Sequence, residues 1–150
     1  MLLQTSPSTP LYERDFVLWL QETAELLKQQ RLAEVDWHNL IEEIESMGRS
    51  ERQALQSNLQ VVLMHLLKYQ YQSQKRSNSW RFTLIEHRDR LNVALEDSPS
   101  LKPYLGEIFE QCYAKARKKA AVETGLNIDI FPVQCPFTID QTLDLDYLPE

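Results

Sequence analysis

The sequence predicts an all-α protein: a single-domain bundle of four to five helices, with an extended C-terminal segment wrapping the bundle. Three observations carry this prediction. Apolar residues recur at three- and four-residue spacing over most of the 150 residues. Only 3 glycines are present, too few for a turn-rich β-sandwich. Strong punctuation falls at Ser98-Pro99-Ser100 and again in the last stretch, which holds Pro132, Pro136 and Pro149. A hydrophobic share of 43% suits one compact domain with a real core, and a charged share of 25% excludes disorder as the general state.

The elements follow in order. Residues 1–9 read as a loose polar lead-in. Thr9 can cap a helix with Pro10 at its first position. That first helix runs to about Gln30, with Phe16, Trp19, Leu20, Leu26 and Leu27 at helical spacing. Asp36 caps a second helix whose stripe is Trp37, Leu40, Ile41, Ile44 and Met47, with Leu40, Ile44 and Met47 turned to the core. Gly48 ends or kinks it. Ser50-Glu51-Arg52-Gln53 is a capping-box pattern that can open a third helix; one long helix bent at Gly48 is the alternative.

The third stripe is Leu55, Leu59, Val62, Leu63, Leu66 and Tyr69. After a polar, basic connector, the fourth helix spans about 78–96 with Trp80, Leu84, Leu91 and Leu95 in phase, and Arg88 in phase with them. The fifth ends at Gly125 and carries Tyr104, Leu105, Ile108, Phe109, Cys112, Ala116 and Ala120 on one face. Pro103 sits within its first turns. The bundle is thus expected over 10–125. Residues 126–150 are too apolar for a free tail, and Thr138 with Gln141 can start one short helical turn.

The formal net charge of −6 disfavours non-specific binding to nucleic acid or anionic membrane. Cys112 and Cys135 are the only cysteines and form no C-x-x-C pair, which reads as reduced thiols in a cytoplasmic protein. Cys112 falls in the apolar phase of its helix and is expected to be packed and inert. The opening ten residues lack the basic and apolar regions of a signal peptide. The longest apolar run, 61–67, is interrupted by His65 and is too short to span a bilayer.

Two ionisable residues stand at the edges of apolar stripes, Glu43 on the second helix and His65 on the third. Each must be hydrogen-bonded, paired or metal-bound, since unpaired burial is costly. Arg88 on the core side wants a carboxylate in bidentate geometry, and Glu43 is the obvious partner. Such a pair would be structural. The sharper reading makes Glu43 and His65 weak catalytic candidates, together holding a divalent cation that activates water, with Asp36 or His87 in support. The only histidines, His38, His65 and His87, fall on three predicted helices and could converge on a transition metal, although no H-x-x-x-H or H-E-x-x-H spacing requires it.

Lys68, Lys75, Arg76, Arg81 and Arg90 cluster around Tyr69, Tyr71 and Trp80, and Lys115, Arg117, Lys118 and Lys119 form a second basic patch. Both could track a nucleic-acid backbone. The acidic total and the nearby Glu86 and Asp89 favour solvated faces instead. No glycine-rich phosphate loop or nucleophile elbow is present.

The ordered motifs L-Y-E-R-D-F-V-L-W-L (11–20), D-W-x-x-L-I-E-E-I-E-S-M-G (36–48), S-x-L-x-x-x-L-x-H-L-L-K (57–68), S-W-R-F-T-L-I-E-H-R (79–88), S-P-S-L (98–101) and P-x-x-C-P-F (132–137) resemble the bacterial "domain of unknown function 29" family. The resemblance covers nearly the whole chain. It implies a single all-helical domain and adds weight to Glu42, Glu43, His65, Lys68, Trp80 and Arg88, but supplies no activity. With Asp36, these residues form the expected polar cluster. The leading expectation is a non-enzymatic protein-interaction or regulatory module with an unidentified protein partner, no membrane and no cofactor. The alternative is a metal-dependent hydrolase, possibly acting on nucleic acid, through Glu43 and His65.

Overall fold

A computed structural model of the protein describes residues 9–150. Apart from Thr9, the lead-in expected over 1–9 lies outside the described residues. Six α-helices follow in order: α1 (Leu11–Arg14), α2 (Phe16–Lys28), α3 (Trp37–Tyr71), α4 (Asn78–Asp97), α5 (Leu101–Thr124) and α6 (Ile139–Leu143). Single 3-10 turns lie at Leu32–Glu34, Ser73–Lys75 and Ile128–Ile130. No strand occurs among the described residues, so the all-α expectation holds. The chain divides into two compact units, one ending at Gly48 and the other running from Arg49 to Glu150.

In the first unit, the single helix expected from Pro10 to Gln30 is two. Asp15 adopts an extended backbone and its carboxylate accepts from the Leu18 amide at 3.0 Å, so it caps α2 and breaks the chain from α1. A short acidic side chain that bonds a nearby amide competes with continued helix. α2 closes with Gln30 at φ 58°, where its amide and that of Arg31 return to the carbonyls of Leu27 and Leu26. Asp36 then caps α3 as expected, accepting from the Asn39 amide at 3.3 Å.

α3 runs 35 residues without interruption through Gly48. Of the two alternatives read from sequence, the single long helix is the one formed, and the Ser50–Gln53 pattern lies inside it. One glycine costs about 1 kcal/mol in a helix interior, too little to stop a helix that packs strongly on one side of it.

That packing is in the second unit. Leu55, Leu59, Val62, Leu63, Leu66 and Leu67 of α3 are at most 1% exposed. They meet Leu84, Leu91 and Leu95 of α4 and Leu105, Ile108, Phe109, Cys112, Ala116 and Ala120 of α5. Cross-bonds give the directions. Asn58 meets His87 while Lys68 meets Trp80, so α4 runs antiparallel to this part of α3. Gln56 meets Tyr104 while Lys68 meets Glu123, so α5 runs parallel to it. The small Ala116 and Ala120, both fully buried, let α5 approach closely. Ser77 caps α4 through the Trp80 amide, and Gly125, at φ 72°, ends α5 as expected.

Within the second unit, residues 126–150 pack against α3, α4 and α5, with Phe131, Phe137 and Thr142 buried. Thr138 and Gln141 form the expected capping box at the start of α6. Arg88 anchors this segment. Its side chain is wholly buried, and its Nε, Nη1 and Nη2 donate to the carbonyls of Thr142 (2.9 Å), Tyr147 (2.8 Å) and Gln141 (3.0 Å). The expected Glu43–Arg88 ion pair is therefore corrected: each guanidinium nitrogen is engaged by a backbone oxygen of the C-terminal segment. Asn92, one turn on, donates to the Leu143 carbonyl at 3.0 Å. Burial pushes the Arg88 pKa below its ordinary value, opposed by the nearby Asp144 charge.

Arg88→Met keeps the apolar stem but takes the donors from three carbonyls, that of the buried Thr142 and those of the part-buried Gln141 and Tyr147. We expect a loss of about 3–4 kcal/mol in urea unfolding, together with faster amide exchange confined first to residues 139–148. Unchanged exchange there would contradict the anchoring role.

Candidate functional site

The residues singled out in the sequence fall into two groups, one in each unit. In the first, Glu43 is half-buried and its Oε1 accepts a short hydrogen bond from the Tyr12 hydroxyl of α1. Tyr12 in turn packs edge-on against Trp19, the largest buried residue of this unit, with ring centroids 4.8 Å apart. The Glu43 carboxylate holds the phenol protonated and pushes its pKa up to about 12; the neighbouring Glu42 and Asp36 charges act in the same direction. Glu43 is thus the acceptor that ties α1 to α3. Tyr12 lies 31 positions away, and no periodicity within one helix could have revealed it.

In the second unit, Lys68 is 5% exposed, yet its ammonium is fully provided for. It lies 2.6 Å from the Glu123 carboxylate of α5 and 4.5 Å from the centre of the Trp80 ring of α4. An ion pair combined with a cation–π contact compensates a buried ammonium. Glu123 is half exposed, so the pair sits at the rim of the core. One turn back, His65 bonds the Val61 carbonyl through Nδ1 at 3.0 Å. A carbonyl only accepts, so Nδ1 carries the proton and Nε2 the lone pair in the neutral ring. Burial lowers the His65 pKa, and the Lys68 charge lowers it further. His87 places Nδ1 2.8 Å from Asn58 Oδ1, and burial and Arg90 lower its pKa too.

His38 is exposed on the first turn of α3, in the first unit. The three histidines do not assemble into a ligand set: among the described residues, no three His, Cys, Asp or Glu side chains gather in the way a metal centre needs. Cys112 is buried, and burial pushes its thiol pKa up, as does that of the half-buried Cys135. Neither thiol has the lowered pKa of a nucleophile.

A family model described as "Domain of unknown function DUF29" matches residues 11–148. The chain belongs to this family. No curated protein and no solved structure matches it. In this DUF29 chain, several cations of the two basic patches are used internally. Arg76 donates to the Tyr69 carbonyl at 2.7 Å and stacks on its ring. Arg90 pairs with Glu86. Arg117 holds the carbonyls of Phe131 and Ile128, and Lys119 donates to Gln60.

A second feature of the first unit was not foreseen. The apolar stripe of its part of α3 does not face a core. Trp37, Ile41, Ile44 and Met47 are 46–59% exposed, whereas Asn39, Leu40, Glu43 and Ser46 on the other side are half-buried. The Tyr12–Glu43 bond turns a polar edge of the helix inward and leaves the apolar ridge outward. No helix of the described chain is long and apolar enough to cross a membrane.

Two measurements check these assignments. In alkaline absorbance titration, Glu43→Gln should return one tyrosine from about 12 toward about 10, while Tyr113, also pushed up to about 12 but by burial, stays. A raised phenol pKa means that the folded state holds the proton longer. The Tyr12 contribution to stability is therefore complete below pH ~10 and lost as pH rises through ~12. The histidines have the opposite sign. For His65 and His87 the folded pKa lies below the unfolded value, so their contribution to stability is complete above pH ~6.5 and falls on acidification. His65→Gln should flatten the fall in urea midpoint between about pH 7.5 and about pH 5.5.

Proposed function

We propose that this DUF29 protein works as a non-enzymatic protein-interaction module in the bacterial cytoplasm, through the outward apolar ridge of α3. One observation carries the reading: over the first three turns of α3, Trp37, Ile41, Ile44 and Met47 face out, while Leu40 and Glu43 are drawn in. Exposed apolar side chains spaced to form a continuous helical ridge are the usual mark of a helix-packing contact. The charged residues that could have served chemistry are engaged within the fold: Glu43 by Tyr12, Lys68 by Glu123 and Trp80, and Arg88 by three carbonyls.

A photo-crosslinking amino acid at Ile44 tests this in living cells, with the exposed Glu107 on α5 as control. Discrete protein adducts are expected from position 44 and none from 107. An absence of adducts at 44, or equal adducts at both, would defeat the proposal.

A further inference from the structure

We infer that the partner of this ridge is a second copy of the same chain, packed as an antiparallel α3–α3 pair about a two-fold axis between residues 42 and 43; this rests on the interaction reading above. The ridge consists of Trp37, Ile41, Ile44 and Gly48. At about 100° per residue these four positions lie within about 60° of one another on the helix. Their spacing of four, three and four residues reads the same in both directions. A two-fold contact demands that symmetry, because the same patch must serve both copies.

The sizes match as well as the spacing. Antiparallel pairing about that axis sets Ile41 against Ile44 of the second copy, and Trp37 against its Gly48. Gly48 is otherwise unexplained. It sits inside a 35-residue helix, where glycine is unfavourable, and a Cβ added there would meet nothing within 4 Å. Among the described residues, no close approach requires it. An indole from a second copy would occupy that open space, twice per pair. On one flank, His38 and Glu45 fall at positions that bring each imidazole beside the other copy's carboxylate.

The area is that of a small interface. Trp37, Ile41, Ile44 and Met47, at 46–59% exposure, offer about 400 Å² of surface per copy. Two copies then bury about 800 Å² of it, and the flanking stems bring the total to about 1,000 Å², the lower edge of a specific interface. An area at that edge fits a weak, concentration-dependent dimer.

Sedimentation velocity on the full chain from about 1 to about 200 µM reads this directly. Wild type is expected to pass from monomer to dimer, and Ile44→Glu to weaken dimerisation at least ~100-fold. Gly48→Trp should abolish self-association by setting two indoles against each other, and Trp37→Ala should weaken it. An equimolar mixture of these two variants restores one indole opposite each small residue and should recover a heterodimer. Circular dichroism confirms that each variant stays helical; if Gly48→Trp does not fold, Ile44→Glu carries the test. A wild-type chain that is monomeric throughout overturns the inference, as does a dimer indifferent to Ile44→Glu or no recovery on mixing. Crosslinks from position 44 only at masses other than twice the chain would remove the second copy and leave the interaction reading standing; no crosslinks would remove both.

Discussion

The second unit depends on one buried cation. Arg88 sits on the core-facing side of α4, where the sequence pattern calls for an apolar residue, and its guanidinium reaches backbone carbonyls of the 126–150 segment. Three oxygens from Gln141, Thr142 and Tyr147 close around it. A fork of charged donors is strong because desolvation raises the value of each bond as well as the cost of losing it. Residues 126–150 contain only one turn of helix and one of 3-10 structure, so their place on the bundle cannot come from secondary structure. It comes from the burial of Phe131 and Phe137 in the core, and from Arg88 and Asn92 at one end and Arg117, holding Ile128 and Phe131, at the other.

The same logic governs the other polar residues of the motifs. Lys68 is nearly as buried as the leucines beside it, yet Glu123 and Trp80 between them offset its desolvation. Glu43 secures α1 through Tyr12. In each case a charge near apolar surroundings is met by a partner from another helix or from the chain end, and the bond fixes how the elements meet. The first unit differs from the second in having little to bury. Trp19 and Val35 are its only buried large apolar residues among those described, while Ile41, Ile44 and Met47 remain open. A segment of this size supplies too little core to cover its own apolar surface, which gives physical sense to a ridge left exposed.

Much of the fold was legible in the residues. The caps at Asp36, Thr138–Gln141 and Gly125 act through bonds only a few positions long, and the stripes of α4 and α5 follow from helical spacing. The break at Asp15 was missed because an apolar period continues across it; the cap bond to Leu18 overrides the period. The stripes Trp37–Ile41–Ile44 and Leu55–Leu59–Val62 are alike in spacing and composition, but one is exposed and the other buried. Periodicity states which face of a helix is apolar. It carries no information on whether anything covers that face.

The partners of the charged residues lay beyond sequence reasoning for a related reason. Arg88 finds its acceptors 53–59 positions away, Lys68 its carboxylate 55 away and Glu43 its phenol 31 away. By itself the amino-acid order determined that helices form, where most of them begin and end, and that Glu43, His65 and Arg88 must be satisfied, because those outcomes rest on local hydrogen bonding and on the cost of burying charge; Lys68, read from sequence as part of a solvated basic face, is instead buried. Only the tertiary structure decided which groups satisfy them and which apolar ridge was left uncovered, because both depend on elements distant in the chain meeting in space.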